Sequence, residues 1–250
     1  MANPEEHNNP AIVHIKNLKK RFPGNEVLKN VNLSIYKGTN AVVIGQSGIG
    51  KSVLIKCMVR LIEPDAGKIE LFGKDVTQLG DIALKKKKKK IGFLFQGNAL
   101  YDSMTVRENL EFPIVRNKLV NSKKEIDALV YETLDNVGLR KAINLLPSEL
   151  SGGMKKRIGL ARTLILKPEI ILYDEPTTGL DPITSKEISN LIIDVQKKYR
   201  TTSVIITHDI SCVRITSNII HVLRDGVLYK SGAYHELKES NDPWIYNFFN

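Results

Sequence analysis

Residues 45–52 read Gly-Gln-Ser-Gly-Ile-Gly-Lys-Ser, and no other stretch limits the fold of this chain so tightly. An apolar run of strand length (Ala41, Val42, Val43, Ile44) leads into it, and a helical pattern through Ile55, Met58, Val59 and Ile62 leaves it. The octapeptide satisfies G-x-x-x-x-G-K-[ST], a phosphate-binding loop. Gly45, Gly48 and Gly50 let the backbone N–H groups of the loop, Gln46, Ser47 and Ile49 included, point into one concavity, and the helix beginning near Val53 adds its positive end. Lys51 brings a charge to the β- and γ-phosphates, and Ser52 a hydroxyl ligand for Mg²⁺. Strand, loop, Lys-Ser and helix stand in the required order, so the stretch predicts a site for a nucleoside triphosphate.

The strands that follow in this reading are of two kinds. Residues 12–18, 31–36 and 68–72 alternate polar with apolar side chains, which predicts an antiparallel sheet with one wet face. A turn at 22–25 separates the first two, and another at 65–67 precedes the third. Residues 41–44, 91–95, 170–173, 203–207 and 219–223 are instead short apolar runs separated by helical patterns, the mark of a parallel sheet buried on both faces. The pattern over 182–199, with Ile188, Leu191, Ile192 and Val195 at helical spacing, predicts one covering helix. Between Gln96 and Ile170 no strand signal occurs, while helical patterns run through 106–115, 123–137 and 153–166. A minimal nucleotidase core needs no such stretch, so a helical subdomain over about 97–167 is expected.

Two further constellations carry chemistry. The apolar strand at 170–173 ends in Asp174 and Glu175 before Pro176. Asp174 can hold Mg²⁺ through water beside Ser52, and Glu175 reaches past the metal to take a proton from an attacking water. A carboxylate committed to a metal is a poor base, which explains two adjacent acids. Leu150-Ser151-Gly152-Gly153-Met154 then precedes a helix through Ile158, Leu160, Ala161 and Leu164. Ser151 suits an N-cap, and the glycines bare the N–H groups of a second anion-binding helix start.

Composition narrows the class. With 42% hydrophobic residues in 250, the chain can bury a substantial core, and no apolar run approaches the length of a membrane span. Met1 to Pro10 is polar and is expected to be a flexible tail rather than a signal peptide. Cys57 and Cys212 belong to no metal or disulfide pattern, which fits a reducing compartment. The formal charge is +10, and six consecutive lysines stand at 85–90. A solvated helix end is the plain reading of that run, and anionic lipid the functional one. Nucleic acid is disfavoured because no aromatic residues interleave with the lysines.

Taken together, these residues resemble the nucleotide-binding subunit of ATP-binding-cassette (ABC) transporters. Residues 45–52 are similar to its Walker A motif, Gln96 to its Q-loop, 150–154 to its LSGGQ signature and 173–175 to the end of Walker B. Residues 179–181 resemble the D-loop, and Thr207-His208-Asp209 the switch histidine. All six stand in the family's order and span roughly 12–237. Met154 departs from the usual glutamine. With the flanking residues 147–157, the run 95–106, Asn109, Pro113 and 181–184, it resembles the ATPase of Mce- or Mla-type phospholipid transporters.

The resemblance implies an α/β fold: a P-loop NTPase (RecA-like) core with an antiparallel β subdomain and an inserted α-helical subdomain. One nucleotide-binding domain over 11–240 is expected, followed by a C-terminal aromatic segment at 241–250 that either packs on the domain or meets an accessory subunit. It implies ATP and Mg²⁺ as cofactors and a head-to-tail homodimer sharing two ATP sites. Within that site Phe22 stacks on adenine, Ser151, Gly152 and Gly153 meet the γ-phosphate of the partner's ATP, and Asp181 lies alongside. Gln96 touches Mg²⁺ and the attacking water, Glu175 acts as base, and His208 contacts the γ-phosphate. His7, His14, His221 and His235 match no motif. Expected partners are integral-membrane permease subunits, with an Mce-type substrate-binding protein and an accessory subunit, and no nucleic acid. The expected location is the cytoplasmic face of the inner (plasma) membrane, peripherally bound. The activity implied is ATP hydrolysis powering phospholipid transport, with another small-molecule importer or exporter as the alternative. A soluble cassette acting on nucleic acid is more distant, since a second cassette and a heptad insertion are both absent from the sequence. A module that binds without hydrolysing is opposed by intact Lys51, Asp174, Glu175 and His208.

Overall fold

The apolar runs and the alternating runs separate into two sheets. In the computed structural model, which describes residues 10–97, 99–120 and 122–249, β1 (Ala11–Phe22) and β2 (Asn25–Tyr36) form a long antiparallel hairpin. Next to β1 lie β4 (Ala66–Leu71) and the short β5 (Lys74–Asp75), completing a four-stranded sheet in the order β2-β1-β4-β5. Apart from Pro10, the expected N-terminal tail lies outside the described residues, and so do His7 and Asn98. The hairpin runs further than its alternation predicts, to Phe22 itself. Its distal half is mostly exposed and irregular, with register shifts near Asn17, and Leu18 and Leu28 are buried there among exposed neighbours, so ladder hydrogen bonds continue where the alternation fades.

The second sheet has six strands in the order β10-β9-β3-β8-β7-β6. These are β3 (Asn40–Ile44), β6 (Ile91–Leu94), β7 (Ile170–Asp174), β8 (Thr202–Ile206), β9 (Ile219–Arg224) and β10 (Val227–Gly232). The five apolar strands pair in parallel, as their composition requires. Alternation puts Val42, Ile44, Ile171, Tyr173 and Ile205 on one face and Ala41, Val43, Ile170, Leu172, Val204 and Ile206 on the other. The edge strand β10 has no counterpart in the sequence reading. It returns antiparallel through Asp225-Gly226, both at positive φ (50° and 80°), as a two-residue hairpin turn demands. Its exposed Tyr229, Lys230 and Ser231 hide the strand from an argument based on burial.

One face of the six-stranded sheet packs on α1 (Lys51–Met58) and the antiparallel sheet. The other packs on α3 (Val106–Asn117), α4 (Lys123–Asn136), α5 (Gly152–Leu164) and α6 (Pro182–Tyr199). Among the described residues between β6 and β7 there are only helices and turns. Capping boxes start α3 (Thr105 with Glu108) and α4 (Ser122 with Glu125), each worth about 1 kcal/mol. The lysine run stands where a helix end was expected, with most of it in α2 (Asp81–Lys88), while α7 (Ile210–Thr216) and the short helix at Tyr234–Lys238 fall outside the expected set. The chain closes with α8 (Tyr234–Lys238) and α9 (Pro243–Phe249). Ile245 and Phe249 are buried in the main core and Trp244 and Phe248 pack against it, so the C-terminal aromatics cover their own domain. No helix among the described residues is long and apolar enough to cross a membrane.

Candidate nucleotide site

Four parallel strands end side by side, and each hands its next residues to one crevice. From β3 comes the glycine loop, from β8 the segment holding His208, from β7 the acids and from β6 Gln96. Ligand sites of open α/β sheets form at such carboxyl ends. The resulting hollow, about 240 Å³, is lined by Ser47, Gly48, Gly50, Lys51, Ser52, Val53, Gln96, Glu175 and His208. Residues far apart in the chain thus share one surface.

The loop is shaped by backbone that only glycine accepts. Gly50 caps α1 at φ 109°, and a Cβ there would lie 2.5 Å from Cγ1 of Val27. Contact with Val27 ties the loop to β2, whose hairpin carries Phe22 at its far end. The Lys51 ammonium donates to the carbonyls of Gly45 (2.8 Å) and Gln46 (3.0 Å). Burial pulls its pKa below the ordinary lysine value, and the charges of Glu175 and Asp174 oppose that pull. Ile49 turns inward against the second core, the one enclosed by α1, the antiparallel sheet and the facing side of the six-stranded sheet.

Ser52 Oγ donates to Asp174 Oδ1 at 2.9 Å, so a hydroxyl and a carboxylate from separate elements meet at the strand end. Both are hard oxygen donors, a set that suits Mg²⁺, which takes few protein ligands and completes its shell with water and phosphate. Among the described residues no cluster of three or more His, Cys, Asp or Glu forms a cage for a metal. The residues present therefore fit a metal brought with a nucleotide.

Glu175 follows β7 in the left-handed region (φ 51°), conformational strain of order 1–3 kcal/mol held by its surroundings. Its N–H donates to the Ile206 carbonyl of β8 at 2.9 Å. Its Oε2 meets His208 Nδ1 at 2.9 Å and accepts from Thr178 Oγ1 at 3.2 Å. Asp209 caps α7 through the amides of Ser211 and Cys212 and accepts from Thr177 Oγ1. The segments after β7 and β8 are thereby laced together behind Glu175 and His208.

Three groups of expected residues lie elsewhere. Phe22 borders a separate hollow of about 500 Å³ with Lys19, Arg21, Pro23, Gly24, Glu26, Asp65 and Ala66, and the Lys20 ammonium lies over its ring. Ser151 caps α5, accepting from the Met154 amide at 3.2 Å, and does not line the hollow around Lys51; nor do Gly152 and Gly153. Gly153 packs so closely on α6 that a Cβ would meet Thr184 Cγ2 at 2.5 Å. Asp181 caps α6, accepting from the amides of Ile183 and Thr184 and from the Thr184 hydroxyl. Met154, where the signature usually has glutamine, is half-buried against the helical core.

One residue was missed as part of the site. Lys156 is buried, and its ammonium donates to the Gln96 carbonyl at 2.7 Å and reaches the Glu175 carbonyl at 3.5 Å. Burial lowers its pKa, with Asp174 and Glu175 opposing. The clue was present in the sequence: Gly153, Lys156, Leu160 and Thr163 fall on one stripe of α5, and the stripe is buried. Of the unmatched histidines, His14 bonds Ser34 and His221 bonds Ser231, each at 2.7 Å across a strand pair.

Comparison with known proteins agrees with this geometry. A family model described as "ABC transporter" matches residues 28–178. The chain is 34% identical over 240 residues to the intermembrane phospholipid transport system ATP-binding protein MlaF of Haemophilus influenzae, covering 96% of this chain and 90% of that one. It is 37% identical over 226 residues to the methionine import ATP-binding protein MetN of Desulfitobacterium hafniense, covering 88% of this chain and 66% of the relative. A solved dimeric structure of a post-hydrolysis state of the ATP-binding cassette MJ0796, bound to ADP and Pi, superposes with a TM-score of 0.80 at 33% identity, covering 88% of this chain and 98% of that one. With a P-loop NTPase core, an antiparallel β subdomain and helical additions, the chain belongs to the ABC transporter family as an ATP-hydrolysing nucleotide-binding domain.

Proposed function

We propose that this domain powers phospholipid transport, working as a head-to-tail dimer whose ATP sites are each completed by the partner's signature helix. One observation carries the dimer: the capped start of α5 at Ser151 is exposed and absent from the hollow that holds Lys51, Glu175 and His208. A second helix N-terminus suited to an anion has no use there unless another copy supplies the nucleotide. The MJ0796 cassette, dimeric in its solved structure, supports the same reading.

In this mechanism residues 45–52 wrap the phosphates with backbone amides and the Lys51 charge. Ser52, Asp174 and Gln96 would hold Mg²⁺, which when bound would supply charge neutralisation at the phosphates. Glu175 Oε2 takes the proton of the attacking water. His208 orients that carboxylate through Nδ1 and faces the γ-phosphate. Ser151 and Gly153 of the second copy stabilise the charge that develops. Phe22 meets the adenine from the hairpin tip, and Asp181 stiffens the start of α6 beside Gly152 and Gly153.

Phospholipid as cargo rests on the runs 95–106, 147–157 and 181–184 and on the MlaF relative, which is named for phospholipid transport. A methionine-like cargo is the second reading, favoured by the MetN relative. Permease subunits, an Mce-type binding protein and a peripheral place on the inner membrane follow from the first. Purification from native membranes, with identification of co-purified subunits and bound lipid, separates the two. A permease arriving with phospholipid is expected; one arriving with an amino-acid-binding protein overturns the lipid assignment.

A further inference from the structure

The six lysines at 85–90 do not act alike, because α2 splits them between two sides. At 100° per residue, Ile82, Lys85, Lys86 and Lys89 fall within about 60° of one direction, while Leu84 points nearly opposite. Leu84 is buried in the second core. The other three lysines are tied to neighbouring groups of the fold. Lys88 donates to the Arg60 carbonyl at 3.2 Å, Lys87 and Lys90 both lie 5.4 Å from the Phe72 ring centre, and Lys90 pairs with Glu169 at 2.6 Å. The nearby acids are engaged there too. Glu63 pairs with Arg60, and Asp81 acts on Arg60 and Lys88. What remains is an outward face of Lys85, Lys86 and Lys89, all exposed, around Ile82, which is 88% exposed.

We propose that this face of α2 binds directly to an anionic lipid surface, with Ile82 entering the headgroup boundary and the three lysines among the phosphates. The combination favours lipid over nucleic acid. A nucleic-acid face would offer rings for stacking, and the Phe72 ring beside this segment is covered by Lys87 and Lys90. An aliphatic side chain ringed by cations instead matches the interface of a bilayer, where one end is apolar and the surroundings are negative. The contact gives the cassette a second hold on the membrane beside any permease. The chain runs from α2 through β6 to Gln96, so one strand separates this helix from the nucleotide site. Such a contact serves either cargo.

The test uses the full chain with vesicles of equal parts phosphatidylcholine and phosphatidylglycerol, and with phosphatidylcholine alone. Co-sedimentation is expected with the anionic vesicles only. Replacing Lys85, Lys86 and Lys89 with Gln should lower the partition coefficient by roughly a hundredfold, about fivefold per lysine. Ile82→Ser should weaken it severalfold even at raised salt, where charge is screened. The control replaces Lys123, Lys124 and Lys141, which are also exposed, with Gln and so removes the same charge. An equal loss in that control would mean that net charge alone is responsible and would overturn the proposal. So would binding that survives the α2 triple variant, or preferential binding of single-stranded RNA to this face. ATPase activity of the triple variant in solution should match the parent, so failure of the lipid contact is separable from failure of the nucleotide site.

Discussion

Lys156→Met tests whether the buried ammonium between the Gln96 and Glu175 carbonyls serves catalysis or only fills space. Methionine keeps the length of the stem and removes the donor. The bond to Gln96 at 2.7 Å is charge-assisted, and such bonds contribute about 1.5–3 kcal/mol. The 3.5 Å reach to Glu175 adds little. For folding, this loss is offset by relief of the desolvation that already depresses the lysine's pKa, so a stability change below about 2 kcal/mol is expected. No such offset acts on the reacting geometry. Gln96 and Glu175 come from different strands, and Lys156 joins their backbones to the helix that begins at Ser151. If the full 1.5–3 kcal/mol is felt there, kcat falls by about 10- to 100-fold. Nucleotide affinity should stay within about threefold, because residues 45–52 are untouched. Steady-state ATPase rates, fluorescent-nucleotide binding and a thermal melt measure the three quantities, and Lys156→Arg should restore part of kcat. A folded Lys156→Met protein with kcat within about twofold of the parent would refute the reasoning, as would kcat and affinity falling together.

Further outcomes follow from the same geometry. Glu175→Gln keeps a group near His208 Nδ1 but removes the base, so turnover should drop by about 10²–10⁴ while ATP binding persists and an ATP-dependent dimer accumulates on size-exclusion chromatography; near-normal hydrolysis would remove Glu175 from that role. Ser151→Ala loses the cap of α5, about 1 kcal/mol of stability, and should reduce turnover with monomer ATP affinity intact; collapse of that affinity would contradict a role across the dimer. Burial holds the His221 pKa down at about 4, against an ordinary 6.5. Since the unfolded chain binds the proton first, stability is full above pH 6.5 and is lost as pH falls toward 4, by about 3 kcal/mol. Chemical denaturation of His221→Gln should show a flatter acid limb, and an unchanged limb would assign the acid sensitivity to other groups.

Some of this protein is written in local residue order. The loop at 45–52, the acids at 174–175, the N-cap serine at 151 and the five apolar strands are each recognisable because a short stretch must satisfy its own backbone and burial. The covering helix at Pro182–Tyr199 is legible for the same reason, its apolar stripe repeating over many turns. Three features were decided only by the tertiary structure. Strand order brings β6, β7, β8 and β3 side by side, which is why Gln96, Glu175, His208 and Lys51 share one hollow. Periodicity says that a strand is buried but not which strand it pairs with. Lys156 looks like one cation among three at 155–157, and only the packing of α5 turns its ammonium inward onto two carbonyls. The lysine run likewise reads as uniform charge until Leu84 anchors α2 and divides it. Sequence specifies the chemistry that each residue can offer; the direction in which a side chain points depends on what its element is packed against.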